Sequence, residues 1–205
     1  PCRIQEILDI AGQHGIRVMD DAAHSFGAAV GGKRLGGFGD ATVFSFYATK
    51  CITTGDGGLV TTCDPELAAQ LELLSFHGMD GNAWQRYGDK GRWYYEVVAF
   101  GYKLHLGDPA AAMGLVQLGR SDEFMAARAA VAARYNAAFA DLPGVILPSE
   151  AAGYTHAWHL YVLRLDPEVV EGGRDGLIAD LTANRLGSSV HFIPLHHHPA
   201  FVEGK

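Results

Sequence analysis

The chain has 205 residues, of which 48% are hydrophobic and 19% charged, and its net charge is −7. These values are typical of a globular protein long enough to bury a core, and the acidic charge argues against nucleic acid or a membrane surface as a partner. No apolar run approaches the roughly 20 residues of a membrane span, and no secretory signal is visible. The three cysteines form no CxxC pair, so we expect a reducing cytoplasm.

The first half of the chain predicts strands that alternate with helices. Apolar residues at helical spacing from Ile4 predict a helix that ends at Gly15. Short apolar runs at 16–19, 41–46 and 58–62 predict three strands. Asp64 and Pro65 supply the N-cap and the first-turn proline of a second helix. This alternation implies a mainly parallel sheet.

The second half predicts a long helix and a smaller set of elements. Residues 80–95 have no clear periodicity, which indicates a loop. An alanine-rich helix begins at Asp108 and is predicted to run to about Ala140, with an interruption near Gly119. A strand at 160–165, a helix at 176–185 and a strand at 189–193 follow. The predicted domain boundary separates residues 1–107 from residues 108–205.

Polar residues that could bind a cofactor lie at the ends of the predicted strands. Asp21 ends the first strand, and His24 follows within one turn, on the same side if the chain there is helical. Ser45 lies in the second strand, and Lys50 precedes the turn Gly55–Gly58. Pyridoxal phosphate requires a lysine for its Schiff base, an acid for its ring nitrogen and donors for its phosphate. The order of these residues therefore favours a pyridoxal phosphate site.

Each of these residues alone also has an ordinary structural explanation. Asp21 could cap a helix that starts at the next residue, and the neighbouring Asp20 could be that cap or simply exposed. His24 could be a satisfied buried histidine, and Ser45 an unremarkable strand serine. A lysine that follows a strand, as Lys50 does, is most often a surface residue.

Longer stretches of the chain resemble one family closely. Residues 19–62 match a pattern close to E-D-A-A-H … G-D-A-x-x-F-S-F … K … G-E-G-G, which resembles that of the DegT/DnrJ/EryC1/StrS family of pyridoxal phosphate-dependent sugar aminotransferases. The resemblance continues through residues 76–78, 93–98, 101–103 and 110–118, and it ends with residues 190–196. It therefore covers nearly the whole chain.

The resemblance implies a fold and a role for each candidate residue. The fold is α/β, of the type I aminotransferase kind, with a mainly parallel large-domain sheet and a smaller α+β C-terminal domain, both incomplete here. Lys50 matches the Schiff base lysine of the family, Asp21 its pyridine-nitrogen acid, His24 its ring-proximal residue and Ser45 its phosphate serine. Family members act as homodimers whose subunits share active-site residues.

The resemblance also assigns roles to two further histidines. His105 aligns with the asparagine that reaches the cofactor phosphate of the partner subunit, although a histidine has a different reach. His191, in the last matching segment, is predicted to bind substrate. Adjacent histidines at 196–198 would point to alternate faces of an extended segment, so we predict no metal site.

The predicted activity is transfer of an amino group from glutamate to a nucleotide-linked keto sugar. Lys50 argues against the dehydratase branch of the family, in which a histidine replaces the lysine. The alternative is a non-catalytic fragment or pseudoenzyme that folds or dimerises without turnover. The chain begins at Pro1 without a Met, and the part of the family that carries a Gly-Thr phosphate cradle would precede it. We therefore expect a piece of a longer protein that is not a competent enzyme alone.

Overall fold

The structure is a computed structural model that describes residues 2–80 and 94–202. Most of the loop predicted at 80–95 lies outside these residues. The described residues form helices, strands and one short 3-10 helix at Leu195–His197. In chain order the α-helices and strands are α1 (Ile4–His14), β1 (Met19–Asp21), β2 (Ala29–Val30), β3 (Lys33–Arg34), β4 (Ala41–Ser45), β5 (Gly58–Thr61), α2 (Pro65–Ser75), α3 (Asp108–Gly119), α4 (Ser121–Phe139), β6 (Val145–Ile146), β7 (Tyr154–Thr155), β8 (Arg164–Leu165), α5 (Gly173–Ala183) and α6 (Pro199–Val202).

The chain forms two compact units. The first comprises Pro1–Arg134 with Ser149–Tyr161, and the second comprises Tyr135–Pro148 with Val162–Lys205. Every candidate site residue except His191 belongs to the first unit. The predicted boundary between residues 107 and 108 stays a prediction.

The sheet that carries the candidate site has the order β1-β4-β5. Strands β1 and β4 are parallel, with Asp21 opposite Val43. Strands β4 and β5 are antiparallel, with Ser45 opposite Gly58. The parallel arrangement expected from the sequence therefore holds for the first pair only. The second pair is antiparallel because residues 46–57 contain no crossover helix, which parallel neighbours usually require.

One face of β4 packs into the core of the first unit. Phe44 and Phe46 are buried there together with Ala22 and Ile52. Because side chains alternate along a strand, Ser45 points away from this cluster, and it is half-buried. Further side chains pack against the cluster, namely Phe26, Leu35 and Phe124. A second, small sheet of the same unit has the order β3-β2-β7.

The end of α1, the start of α2 and the break between α3 and α4 lie where the sequence predicts them. Helix α1 ends at Gly15, whose φ of 62° lies in the left-handed region that glycine tolerates. The side chain of Asp64 caps α2 by accepting hydrogen bonds from the backbone N–H groups of Glu66 and Leu67. The predicted long helix is interrupted at Arg120, between α3 and α4. None of the helices within residues 2–80 and 94–202 has the length and apolar character of a membrane span.

Several strand predictions are wrong in extent. The first strand begins at Met19 rather than at residue 16, since only from Met19 onward does it have partners on β4. The strand predicted at 160–165 is reduced to Arg164–Leu165, which pairs with β6. Residues 189–193 are exposed and form no strand, because no described segment pairs with them. Helix α5 begins at Gly173, slightly before the predicted start.

Candidate active site

Asp21 lies at the carboxyl end of the parallel strand pair and is exposed. The Oδ1 atom of Asp21 accepts a hydrogen bond from the backbone N–H of Ala23 at 3.1 Å, and the backbone N–H of Ala22 donates to the carbonyl of Val43 at 2.9 Å. The chain therefore leaves β1 in turns and not in the helix considered from the sequence. One carboxylate oxygen is engaged in this turn, while the Oδ2 atom has no hydrogen-bond donor among the described residues. The carboxylate is thus held in place and can still accept a bond from a ligand.

Asp20 occupies the opposite face of β1. Asp20 is paired with Thr42 of β4, which is fully buried. The Oδ2 atom of Asp20 is itself buried and has no hydrogen-bond partner among residues 2–80 and 94–202. Burial, and then the neighbouring Asp21 carboxylate, raise the pKa of Asp20. The two adjacent acids therefore differ in environment, and Asp21 is the one available to a ligand.

Ser45 ends β4 on the same face as Asp21, because Asp21 and Val43 are paired and Val43 and Ser45 are two residues apart. The Oγ atom of Ser45 accepts a hydrogen bond from the backbone N–H of Tyr47 at 3.3 Å. The hydroxyl hydrogen therefore remains available as a donor. A neighbouring oxyanion is a suitable acceptor for it.

Lys50 lies in the loop that connects β4 to β5. Its backbone N–H donates to the carbonyl of Tyr47 at 2.9 Å. The residue is half-buried, and its amine forms no ion pair within the part of the chain that the structure describes. The next residue, Cys51, is buried, and burial raises the pKa of its thiol. The backbone at Lys50 is therefore held by a turn, and no described carboxylate forms an ion pair with its amine.

His24 follows β1 in the same series of turns and is exposed. Its ring centroid lies 4.6 Å from that of His159, with the two rings tilted by 59°. His159 carries no local sequence signal of a site, because it lies far from His24 along the chain and within an apolar run. Contact between the two rings arises only from the fold of the first unit.

His105 lies in the segment that follows α2. Its backbone N–H donates to the carbonyl of Ser75 at 3.1 Å, and its ring meets the edge of the Phe76 ring at 4.7 Å between centroids. The Nδ1 atom is buried and has no hydrogen-bond partner in the described ranges. This histidine lines a cavity of about 830 Å³ together with residues of β5 and α2. Its predicted contact with the phosphate of a partner subunit stays a prediction.

His191 belongs to the second unit. It is exposed, and its ring stacks on that of Phe192 at 3.9 Å between centroids. Its predicted role in substrate binding stays a prediction. Among the residues that the structure describes, no group of three or more His, Cys, Asp or Glu side chains could hold a metal ion.

Three of the candidate residues lie at or just after the same end of the parallel strand pair. Asp21 and Ser45 end paired strands on one face, and Lys50 follows in the loop that leaves β4. A carboxylate, a hydroxyl donor and an amine are the groups that the ring nitrogen, the phosphate and the aldehyde of pyridoxal phosphate require. The residues present therefore fit this cofactor.

Comparison with known proteins agrees with this fit. The chain is 46% identical over 201 residues to the spore coat polysaccharide biosynthesis protein SpsC of Bacillus subtilis. The matched region covers 98% of this chain and 52% of SpsC. The structure of PseC from Helicobacter pylori, an aminotransferase involved in the biosynthesis of pseudoaminic acid, matches with a TM-score of 0.88 at 26% identity, over 99% of this chain and 52% of PseC. The PLP-form of Spr1654 from Streptococcus pneumoniae matches with a TM-score of 0.85 at 26% identity, over 99% of this chain and 54% of Spr1654.

These likenesses confirm the predicted fold class, α/β of the type I aminotransferase kind. The chain spans about half the length of the curated relatives it matches. The model of the DegT/DnrJ/EryC1/StrS aminotransferase family matches residues 1–205. The chain therefore belongs to the DegT/DnrJ/EryC1/StrS aminotransferase family.

Proposed function

We propose that this chain carries the cofactor-binding residues of a pyridoxal phosphate-dependent aminotransferase that acts on a sugar. The observation that supports this proposal is that Asp21 and Ser45 end paired strands on one face, with Lys50 in the loop that follows β4. The names of SpsC and PseC connect relatives of this chain with polysaccharide and sugar-acid biosynthesis. We further propose glutamate as the amino donor and a nucleotide-linked keto sugar as the acceptor.

Asp21 would hold the ring nitrogen of the cofactor. When bound, pyridoxal phosphate supplies an electron sink that stabilises negative charge at the α-carbon of an amino acid. The Asp21 carboxylate would accept a charge-assisted hydrogen bond from the protonated ring nitrogen. Its own position is fixed by the bond from the Ala23 N–H. Asp21 would thereby favour the cationic form of the ring.

Lys50 would act as the nucleophile and as the proton carrier. Its Nζ accepts the proton that leaves the α-carbon of the amino donor. An amine can accept this proton only when it is uncharged. No described carboxylate forms an ion pair with the Lys50 amine.

Ser45 would bind the phosphate, because its Oγ accepts from the Tyr47 N–H and its hydrogen is therefore free to donate. His24, exposed beside His159, would lie against the cofactor ring. We propose that His105 reaches the phosphate of a second subunit in a homodimer, and that His191 contacts the sugar substrate. The proposed location is the cytoplasm.

A pair of lysine variants tests the proposal. Lys50→Ala is expected to abolish turnover and the visible absorbance of the bound cofactor in the natural protein. Lys33→Ala is the matched control, because Lys33 lies on β3 in the other sheet, with its amine over the ring of Phe38. Full activity in Lys50→Ala, or equal losses in both variants, would contradict the proposal.

A further inference from the structure

The loop that carries Lys50 is closed by hydrogen bonds between its two ends. The Phe46 N–H donates to the carbonyl of Gly57 at 2.8 Å, and the Thr54 N–H donates to the carbonyl of Phe46 at 3.0 Å. The Thr53 hydroxyl donates to the same Phe46 carbonyl at 3.0 Å, and it accepts from the Gly55 N–H at 2.9 Å. Residues 53–55 therefore fix the end of the loop to the end of β4, with Lys50 between the two.

Helix α3 contacts this closure through a single polar side chain. The Thr53 N–H points to Oε1 of Gln117 at 3.3 Å. Because a backbone N–H can only donate, the amide of Gln117 must present its oxygen there. Gln117 is half-buried, and the bond joins residues that lie far apart in the sequence.

The same face of α3 approaches the loop closely one turn earlier. Gly114 and Gln117 are three residues apart and share a helix face. A Cβ atom at Gly114 would lie 3.0 Å from Cγ2 of Thr54. Thr54 is buried and its hydroxyl bonds to the carbonyl of Asp56, so it cannot move away freely. The absence of a side chain at Gly114 therefore allows the contact that Gln117 completes.

We propose that Gln117 is a positioning residue for Lys50, because its hydrogen bond to Thr53 clamps the loop at 46–57 to α3. The inference rests on the proposed function of Lys50. Gln117 does not touch the reacting atoms; it limits the motion of the backbone from which the lysine extends. Its removal would widen the distribution of Lys50 positions and slow the chemical step without weakening substrate binding.

Amide hydrogen exchange of the apoprotein tests the clamp without any turnover. In Gln117→Met the Thr53 amide is expected to exchange about threefold to tenfold faster, which is the effect of losing one modest hydrogen bond. Gln117→Glu keeps an acceptor oxygen and is expected to restore slow exchange. Gln70→Met, the same change at an exposed position of α2, is the matched control.

A second pair of variants keeps the test valid if Gln117→Met disturbs α3 itself. Gly114→Ala adds the crowding methyl group, and it is expected to raise exchange at residues 53–55. Gly114→Ala combined with Thr54→Ser removes Cγ2 of residue 54, and this double variant is expected to restore slow exchange at residues 53–55. Unchanged exchange at residues 53–55 in both Gln117→Met and Gly114→Ala would overturn the proposal.

Kinetics of the holoenzyme then connect the clamp to catalysis. Gln117→Met is expected to lower kcat about threefold to tenfold with little change in KM for the amino donor. Faster exchange at Thr53 with unchanged kcat would overturn the positioning role, although the clamp itself would stand. The role of Lys50 is tested separately by its own variants, so its failure is distinguishable from that of Gln117.

Discussion

Substitution of Asp21 by asparagine removes the charged acceptor proposed for the ring nitrogen and leaves the side-chain shape nearly unchanged. Asparagine has nearly the same shape, and its carbonyl oxygen can still accept the bond that the Ala23 N–H donates to Oδ1 at 3.1 Å. The position of Oδ2 then carries an NH2 group, so the negative charge and the hydrogen-bond acceptor for the ring nitrogen are both lost. Loss of a charge-assisted bond in a site costs about 2–4 kcal/mol. We therefore expect Asp21→Asn to lower kcat roughly 30- to 1000-fold.

Asp20→Asn is the internal comparison, because the two acids are adjacent in sequence and opposite in environment. Asp20 faces the other side of β1, where its Oδ2 is buried without a partner in the described ranges. It has no place at the ring nitrogen in this account. Asp20→Asn is therefore expected to change kcat by no more than a few-fold.

Both variants are measured by steady-state transamination. Cofactor absorbance is the control for binding, and circular dichroism is the control for folding. The expected result is a large loss of kcat in Asp21→Asn, with the fold retained, and a small one in Asp20→Asn. A reversed order would refute the assignment of Asp21. Equal mild losses would show that neither carboxylate holds the ring nitrogen.

Three further predictions concern stability and reactivity. The pKa of Asp20 is raised in the folded protein, so the folded state binds this proton more tightly than the unfolded chain does. As pH rises from about 4 through the raised pKa, the wild type therefore loses stability relative to Asp20→Asn. Denaturant melts should show this difference in the free energy of unfolding growing with pH. Asp64→Ala removes the cap of α2 and is expected to lower the free energy of unfolding by about 1 kcal/mol, measured by urea denaturation. At pH 8, iodoacetamide is expected to label the exposed Cys63 and spare the buried Cys51, whose pKa burial raises; peptide mass spectrometry that finds equal labelling would contradict this.

Local signals in the sequence predicted the first unit well. The Gly15 end of α1 and the Asp64 cap of α2 depend on residues within a few positions, and both were found as predicted. The strands that include Ser45 and Gly58 were also placed correctly, because each is a short run rich in apolar and β-branched residues. The antiparallel direction of β5 could not be read from the strand itself, since it depends on the connection that precedes it.

Contacts between distant parts of the chain limited the prediction of the site. Asp21, Ser45 and Lys50 could be selected as candidates because each ends or follows a predicted strand. His159 and Gln117 were missed, since their contacts with His24 and Thr53 arise only after folding. The failed strand at 189–193 has the same origin, because an apolar run becomes a strand only where a neighbour pairs with it.

The position of the covalently bound cofactor tests the central claim most directly. The natural protein would be loaded with pyridoxal phosphate, reduced with borohydride and digested, and the pyridoxyl-lysine would be mapped by mass spectrometry. We predict that the adduct lies on Lys50 and is absent from the Lys50→Ala variant. An adduct on Lys33 or Lys103 in its place, or no adduct in a protein that transaminates, would contradict the account.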